Sequence, residues 1–234
     1  MSGSILYIIN NIEWFWSHRL PLALAAREAG HTVIVAAARV DESEKSKLAA
    51  HGFTGENLPD ADTIASPVTV LKNILALRAL IKKHQPDILH AITIKYAFLA
   101  GLAALGIKLK RVHTIAGLGY LFSGNAVKPA LLRVIAALPL RLALSGAEII
   151  FQNPDDRNIL VGRGFVKNSR THLIRGSGVD LGQFAVSPVP QEDRSLVLMA
   201  TRLLHDKGVV VFVEAAKILH AQGVKARFEI AGGD

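Results

Sequence analysis

The chain has 234 residues, of which half are hydrophobic and none is cysteine, and its net charge is +8 at neutral pH. Its length fits one large domain, or one domain with part of another, and its apolar content is too high for a disordered chain. The composition excludes a disulfide framework and a thiolate metal site, and the basic excess favours an anionic partner other than nucleic acid, because the cations form no compact run interleaved with aromatic residues.

Most of the chain alternates short apolar runs with helical stretches of ten or more residues. The predicted strands span Ile5–Ile9, His31–Ala37, Asp87–Ala91, Arg111–Ala116, Ala147–Gln152 and Thr171–Gly176. The predicted helices between them span Ser17–Ala29, Val68–His84, Tyr96–Leu105 and Leu131–Leu144. This alternation indicates βαβ connections and a parallel sheet, and the continuous apolar strands indicate helices on both faces. The predicted fold class is therefore α/β, with a Rossmann-like doubly wound parallel sheet.

The amino-terminal segment does not resemble an export signal. Residues 1–11 lack a basic region and contain only a short apolar run, so they do not form a signal peptide. No stretch reaches the roughly 18 apolar residues of a membrane span, since Arg133 and Arg141 interrupt the candidate Ala130–Leu144. The absence of cysteine agrees with a reducing cytosol, so we expect a cytoplasmic location.

The segment after the first strand is rich in side chains that bind ligands. It carries Trp14, Trp16, Ser17, His18 and Arg19, and it follows a strand whose carboxyl end lies where open α/β sheets bind ligands. It lacks the glycine spacing of a dinucleotide-binding loop. The tryptophans either stack on a sugar ring or pack beneath the loop, and Ser17 either contacts a ligand or caps the following helix.

Two further strands lead into candidate ligand contacts at the same sheet edge. Lys95 begins a helix, where it either meets a phosphate or carboxylate or remains a solvated surface cation. Gly117 and Gly119 permit a close approach of the backbone to a ligand. His113 lies within a strand and is interpreted as a packed residue rather than a base. No histidine or carboxylate cluster has metal-ligand spacing, so no bound metal is predicted.

A glycine-rich segment precedes a change in the pattern. Gly176, Ser177, Gly178 and Asp180 form a candidate hinge that also allows close approach of a ligand. The stretch from Gly182 to Arg194 then breaks the strand–helix rhythm with prolines and charges, as a linker between domains does.

The pattern restarts after this linker. A strand at Ser195–Ala200, a helix at Val209–Ala221 and a strand at Arg227–Gly233 form one βαβ unit, and its first turn carries Arg202 and Lys207. Cations at such a turn bind phosphates. Since one βαβ unit cannot cover both faces of its sheet, we expect the chain to stop inside a second domain. The predicted organisation is a first domain over residues 1–184, a linker over 185–194 and an incomplete second domain over 195–234.

These segments, in this order, resemble the GT-B glycosyltransferases of family 4, also called group 1 glycosyltransferases. The resemblance covers the whole chain and is carried by Trp14–Val33, Thr93–Lys95, Gly117–Phe122, Gly176–Phe184 and Met199–Asp234. They look like the branch that builds bacterial surface polysaccharides, such as lipopolysaccharide and capsule. Its members move a sugar from a nucleotide donor to a lipid-diphosphate-linked (polyprenyl) saccharide, with retention of configuration.

The resemblance assigns expected roles to residues of this chain. Arg202 and Lys207 match the pair that binds the donor diphosphate and stabilises the leaving nucleotide, which makes a metal unnecessary; the donor would be a UDP- or GDP-sugar. Residues on the donor-proximal hinge are Gly176, Ser177, Gly178 and Asp180. Residues on the acceptor or donor-phosphate side are Ser17, His18, Arg19, Lys95, Gly117 and Gly119.

Two departures from the family leave the catalytic residues unassigned. Many members carry a histidine near the position of Ala116 or Gly117, and this chain has none there. The Glu-x7-Glu region that contacts the donor sugar is also absent, so we expect this chain alone to be inactive. Two other interpretations stay open: a sugar-nucleotide epimerase of the same fold, and a non-catalytic module that binds the acceptor.

A lipid-linked acceptor implies contact with the cytoplasmic face of the inner membrane. The stretch Val127–Ser145 carries Lys128, Arg133 and Arg141 among alanines and leucines. Such a basic amphipathic helix either lies in an anionic interface or packs as a core helix.

Overall fold

A computed structural model describes residues 3–59, 66–118, 137–182, 184–188 and 194–233. The chain divides into two compact units, Met1–Val179 and Asp180–Asp234. The predicted boundaries at residues 184 and 195 remain predictions.

The first unit is built on seven parallel strands. They are β1 Ser4–Asn11, β2 Thr32–Ala38, β3 Phe53–Leu58, β4 Ile88–Ile92, β5 Lys110–Ile115, β6 Glu148–Phe151 and β7 Thr171–Leu173. Their order in the sheet is β3-β2-β1-β4-β5-β6-β7, and every pairing is parallel. This is the doubly wound order, in which the order of the strands reverses between β1 and β4. The predicted α/β fold class is confirmed.

Helices connect the strands on both faces of the sheet. They are α1 Ile12–His18, α2 Leu20–Glu28, α3 Glu42–Ala50, α4 Pro67–His84, α5 Ile94–Ala103, α6 at residues 137–144 and α7 Pro154–Gly162. Of the helices that the structure describes, none is both long and apolar enough to cross a membrane.

The central strands are buried because apolar side chains cover each face. Leu6 and Ile8 point into one cluster with α4 and α5, and Tyr7 and Ile9 point into another with α1 and α2. A third cluster joins β5 and β6 to α6 and α7. Gly101 in α5 permits a contact so close that an added Cβ would lie 2.3 Å from the carbonyl oxygen of Ala143.

Three details of the predicted elements are wrong. The stretch predicted as one helix over Ser17–Ala29 is two helices, and α1 begins at Ile12 because the Asn11 side chain accepts a hydrogen bond from the Trp14 amide at 3.0 Å. The elements α3 and β3 were not predicted. The final strand of this sheet ends at Leu173 rather than Gly176, since β7 pairs only with β6.

The second unit contains the predicted βαβ arrangement. Strand β8 Ser195–Ala200 and helix α8 Val209–Ala221 have the predicted bounds, and β9 Ala226–Ala231 pairs with β8 in parallel. At the carboxyl ends of these strands the backbone of Gly232 lies against Thr201, where a Cβ would meet the Thr201 carbonyl oxygen at 1.7 Å.

Candidate functional site

A cavity of about 370 Å³ lies at the carboxyl edge of the first unit's sheet. The residues around it come from the α1–α2 corner, from the ends of β4, β5 and β6, and from the segment after β7. They are His18, Arg19, Pro21, Leu22, His90, Thr114, Ile150, Gln152, Ile174, Arg175, Gly176, Ser177 and Gly178. Five of these residues are ones that the sequence predicts as ligand contacts: His18, Arg19, Gly176, Ser177 and Gly178.

Arg19 is the central cation of this cavity. It occupies the single residue between α1 and α2, and only 9% of its surface is exposed. Its Nε makes no hydrogen bond, although a buried guanidinium nitrogen ordinarily has a partner. Burial lowers the pKa of Arg19, but a guanidinium remains charged at any physiological pH. The site therefore holds a desolvated positive charge that is not fully hydrogen-bonded.

The floor of the cavity is polar and uncharged. The ring of His90 is buried, and its Nε2 lies 2.8 Å from Oγ1 of Thr114. Burial, and then the charge of Arg19, lower the pKa of His90 to about 4, so the ring is neutral at pH 7. Burial also raises the pKa of Tyr7 to about 12 against the opposing charge of Arg19, so its hydroxyl keeps its proton. Neither group neutralises Arg19.

Glycines form the wall of the cavity contributed by the segment after β7. Gly176 has φ of +69° and Gly178 has φ of +74°, which L side chains rarely adopt, and nothing lies within 4 Å of either position where a Cβ would be. The backbone there is exposed beside the cavity, and Arg175 adds a second cation to the same wall. A ligand can therefore approach main-chain groups closely at a wall that also contains Arg175.

The turn into α5 holds strain at the point where the strand order reverses. Thr93 is one of only three non-glycine residues with positive φ in the described part of the chain, at +79°. Its hydroxyl donates to Oδ1 of Asn10 at 2.9 Å, and its amide donates to the Thr114 carbonyl at 2.8 Å. These bonds tie β1, β4 and β5 together, so the strained backbone is held in place beside the cavity floor.

Other predicted contacts lie elsewhere. The Ser17 hydroxyl donates to the Glu13 carbonyl at 2.8 Å, and Asn11 rather than Ser17 caps α1. The Nζ of Lys95 lies 5.2 Å from the centre of the Tyr96 ring. Gly117 does not have a positive φ, and Gly119 lies outside the described residues. Ser17, Lys95 and Gly117 do not line the cavity, and the roles of all four residues stay predictions.

The tryptophans of the first helix differ in their surroundings. Trp16 donates through Nε1 to Glu44 at 2.6 Å and packs on Phe15, whereas Trp14 is 44% exposed. Trp16 thus joins α1 to α3, as the packing interpretation expects.

The remaining predicted contacts belong to the second unit. Asp180 forms a turn, in which its Oδ1 accepts from the Gly182 amide at 2.8 Å. Arg202 and Lys207 are exposed in the turn between β8 and α8, and Gly208 begins that helix with φ of +79°. This turn presents cations as predicted, and their assignment to a diphosphate stays a prediction.

Neither buried histidine forms a metal site. Among the described residues, no three histidine or carboxylate side chains come together as a metal would require. His113 is fully buried, its ring nitrogens make no hydrogen bond, and burial lowers its pKa to about 3. It is a packed residue, as its position in the strand suggests.

The residues that the sequence did not single out are His90, Thr114, Gln152 and Arg175. Each of the first three lies in the last three residues of a predicted strand, and this position was the available signal. Arg175 was hidden within a predicted strand, which the structure ends two residues earlier.

A larger groove, of about 1250 Å³, lies at the opposite edge of the sheet. Its residues include Gly3, His31, Asp87 and Lys110, which precede or begin strands. Parallel α/β sheets bind ligands at the carboxyl ends of their strands, so the smaller cavity is the candidate site.

Comparison with known proteins agrees with the fold. A model of the family described as "Glycosyl transferase 4-like" matches residues 4–153. The N,N'-diacetylbacillosaminyl-diphospho-undecaprenol alpha-1,3-N-acetylgalactosaminyltransferase of Campylobacter jejuni is 26% identical over 92% of this chain. The chain spans 59% of the length of that relative.

Solved structures share the fold at low sequence identity. Sucrose-phosphate synthase from Thermosynechococcus elongatus is similar with a TM-score of 0.70 and 17% identity, over 99% of this chain and 63% of that one. The Anabaena protein HepE, solved in complex with UDP-glucose, has a TM-score of 0.63 and 16% identity, over 99% of this chain and 69% of its own.

Proposed function

The chain belongs to the glycosyl transferase 4-like family. From this premise we propose that it functions in a glycosyltransferase, as the enzyme or a part of it, and that this enzyme moves a sugar from a nucleotide-sugar donor to a lipid-diphosphate-linked saccharide. The observation that carries the proposal is Arg19, a nearly buried cation whose Nε has no hydrogen-bond partner beside a cavity at the carboxyl edge of the sheet. The relative from Campylobacter jejuni is named for an undecaprenol diphosphate acceptor.

The cavity suits the diphosphate of the acceptor. A diphosphate presents several anionic oxygens, and guanidinium groups bind such oxygens through charge-assisted hydrogen bonds. Arg19 supplies one guanidinium from a desolvated position, and Arg175 supplies a second from the glycine-rich wall. Because His90 is neutral at pH 7, it does not compete for the anion, and its ring shapes the floor.

The turn of the second unit suits the donor. Arg202 and Lys207 carry the charge that a departing nucleoside diphosphate requires, and preorganised cations stabilise charge that develops in a transition state. We assign the nucleotide of a UDP- or GDP-sugar to this turn, with no metal ion and with retention of configuration. HepE was solved with UDP-glucose, which supports the choice of a nucleotide-sugar donor.

The site of action follows from the acceptor. A polyprenyl diphosphate stays in the bilayer, so the enzyme works at the cytoplasmic surface of the inner membrane, in the synthesis of a surface polysaccharide. The donor sugar of the relative is N-acetylgalactosamine by its name.

The test is a transfer assay with a radiolabelled nucleotide sugar and a short-chain prenyl diphosphate saccharide, carried out on this chain and on any longer natural form of it. The Arg19→Ala variant is expected to raise KM for the acceptor about tenfold to a hundredfold, since it removes hydrogen bonds to a charged group, and to change KM for the donor little. Arg19→Lys should recover part of the loss, because it keeps the charge but not the forked geometry. Arg27→Ala removes a cation that is not part of the cavity and should leave both constants unchanged.

Three results would contradict the proposal. If Arg19→Ala and the unmodified protein have the same KM for the acceptor, the cavity does not bind the acceptor's diphosphate as proposed. Conversion of the nucleotide sugar without an acceptor indicates an epimerase. Binding of the acceptor without turnover, by this chain and by any longer natural form of it, indicates a non-catalytic binding module.

A further inference from the structure

The outward face of α4 is apolar where a surface helix is ordinarily polar. Val68, Leu71 and Leu75 are 62%, 57% and 56% exposed. They follow one another at spacings of three and four residues, so they form one stripe along the helix. The opposite face packs into the core through Leu77 and Ile81, so the stripe is not needed to hold α4 on the sheet.

The same outward face is basic. Lys72 and Lys82 are exposed beside the stripe, and neither forms an ion pair within the described part of the chain. Lys83 is held by Glu56, whose Oε1 also accepts from His84. The segment Pro67–His84 contains no aspartate or glutamate. Leucines with lysines between them and no acidic residue are typical of helices that lie in an anionic lipid interface.

The stripe lies toward the edge of the sheet that holds the cavity. Helix α4 connects β3 to β4, which are parallel to each other, so it runs back along the sheet against the strand direction. Its first turns, with Val68 and Leu71, are therefore at the carboxyl end of the strands. The cavity around Arg19 opens at that edge as well.

We propose that the face of α4 formed by Val68, Leu71, Lys72 and Leu75 docks on an anionic bilayer. The inference rests on the proposed lipid-linked acceptor, and it identifies the surface that brings the cavity to it. A second copy of the chain fits this face less well, because each copy carries a net charge of +8 and lysines would face lysines. An anionic headgroup layer complements those lysines, and the acyl region accepts the leucines.

The face differs from that of α6, which is part of the segment Val127–Ser145, for which the sequence leaves both a membrane interface and a core position open. Leu140 and Leu144 of α6 are buried in the core, and the Arg141 guanidinium donates to the Arg163 carbonyl at 2.9 Å. Only Leu138 and Leu142 of that helix are exposed large apolar residues among those described, and the cations Lys128 and Arg133 lie outside the described residues. The α6 helix therefore provides a matched comparison with two exposed leucines.

The experiment measures co-sedimentation of the protein with vesicles of phosphatidylglycerol or of phosphatidylcholine. The Leu71→Gln/Leu75→Gln variant is expected to lose at least about tenfold in partitioning onto phosphatidylglycerol, since two leucines no longer enter the apolar layer. Lys72→Glu should weaken binding to these anionic vesicles, whereas Lys167→Glu makes the same change in net charge elsewhere and should not. Thermal unfolding confirms that each variant folds.

The outcomes separate this inference from the proposed function. Unchanged vesicle binding by Leu71→Gln/Leu75→Gln overturns the inference, as does loss of binding in Leu138→Gln/Leu142→Gln alone. A self-association that the α4 variant abolishes, without vesicle binding by the unmodified protein, identifies a second copy as the occupant and also overturns it.

Transfer to a water-soluble, short-chain acceptor should be equal in the α4 variant and the unmodified protein. If neither this chain nor any longer natural form of it shows transfer but vesicle binding depends on α4, the proposed function fails and the docking face stands.

Discussion

Two apolar strands of this protein, β1 and β8, lie in very different surroundings. Strand β1 has a neighbour on each side and helices on both faces, and Ile5–Ile9 are all buried. Within the described residues, strand β8 pairs with β9 alone, and Leu196, Val197 and Leu198 are exposed. The arginines that follow these strands differ in the same way: Arg19 is nearly buried, and Arg202 is exposed. The comparison teaches that the surrounding layers, rather than the strand's own residues, decide how strongly a cation at the sheet edge is desolvated.

The largest loss of stability is expected when a side-chain atom is added at the tight contact between α5 and α6 in the first unit. In Gly101→Ala the new Cβ would lie 2.3 Å from the Ala143 carbonyl oxygen, so α5 and α6 must move apart. We expect the free energy of unfolding to fall by about 3 kcal/mol, measured by urea denaturation. Gly162→Ala, which has nothing within 4 Å, should be neutral or slightly stabilising. Equal stability of the two variants would show that the first unit is less tightly packed than β1 implies.

The equivalent change in the second unit should have a smaller effect. Gly232→Ala places a Cβ 1.7 Å from the Thr201 carbonyl oxygen, but β8 and β9 each have an unpaired edge and can shift. We expect a loss of about 2 kcal/mol, seen as faster hydrogen exchange of the β8 and β9 amides. The amides of β1 are an internal reference, and Gly233→Ala is the matched variant because nothing lies within 4 Å of that position. Slower exchange in β8 than in β1 would reverse the comparison.

The buried histidines of the first unit should make stability depend on pH. Burial, and then the charges of Arg111 and His90, lower the pKa of His113 to about 3, and the Val112 backbone opposes this slightly. Below about pH 6.5 the His113 imidazole therefore binds a proton in the unfolded chain but stays neutral in the folded chain. The free energy of unfolding consequently falls as pH falls from 6.5 toward 3.

His113→Leu removes this contribution and a pair of buried nitrogens that make no hydrogen bond. Between pH 7 and pH 5 the variant should lose about 2 kcal/mol less stability than the unmodified protein, measured by denaturation at each pH. His220→Leu, at an exposed position of α8, serves as the control. An unchanged pH profile in His113→Leu would mean that His113 is already protonated or solvated in the folded state.

The smallest effect concerns two Glu–Lys pairs of equal spacing. Glu44 of α3 accepts from Lys47 and from Trp16, each at 2.6 Å, and these bonds hold the pKa of the Glu44 carboxyl below its usual value. Glu214 of α8 accepts only from Lys217 among the described contacts, at 2.8 Å on an exposed surface. We expect Glu44→Gln to cost about 1 kcal/mol or less and Glu214→Gln a few tenths.

The depressed pKa fixes the sign of the pH effect at Glu44. Its contribution is present above the unfolded pKa and is lost as pH falls through the folded value, so the difference between Glu44→Gln and the unmodified protein should be smaller at low pH than at pH 7. Denaturation at pH 7 and pH 3 checks this, and a constant difference at both would assign the effect to packing of Trp16.

Much of the fold was predictable because its strands are apolar throughout and its long helices carry apolar residues along one face. The missed elements lack those signals. Strand β3 lies at the sheet edge and includes Gly55 and Glu56, and α3 buries only Leu48. Helix α1 was missed because its residues are apolar or polar without period, and its start depends on one side-chain cap at Asn11.

The amino-acid sequence by itself determined the parallel α/β architecture, the change of pattern before Ser195 and the family, because hydrophobic periodicity and local turn residues are properties of neighbouring positions. Only the tertiary structure decided which polar side chains meet. It placed Arg19 against His90 and beside Arg175, while Ser17, Lys95 and Gly117 do not line the cavity. Such a meeting depends on where helices end and how strands are ordered, and these follow from packing between distant segments. The desolvation of Arg19, on which the proposed anion binding rests, exists only when those layers are assembled.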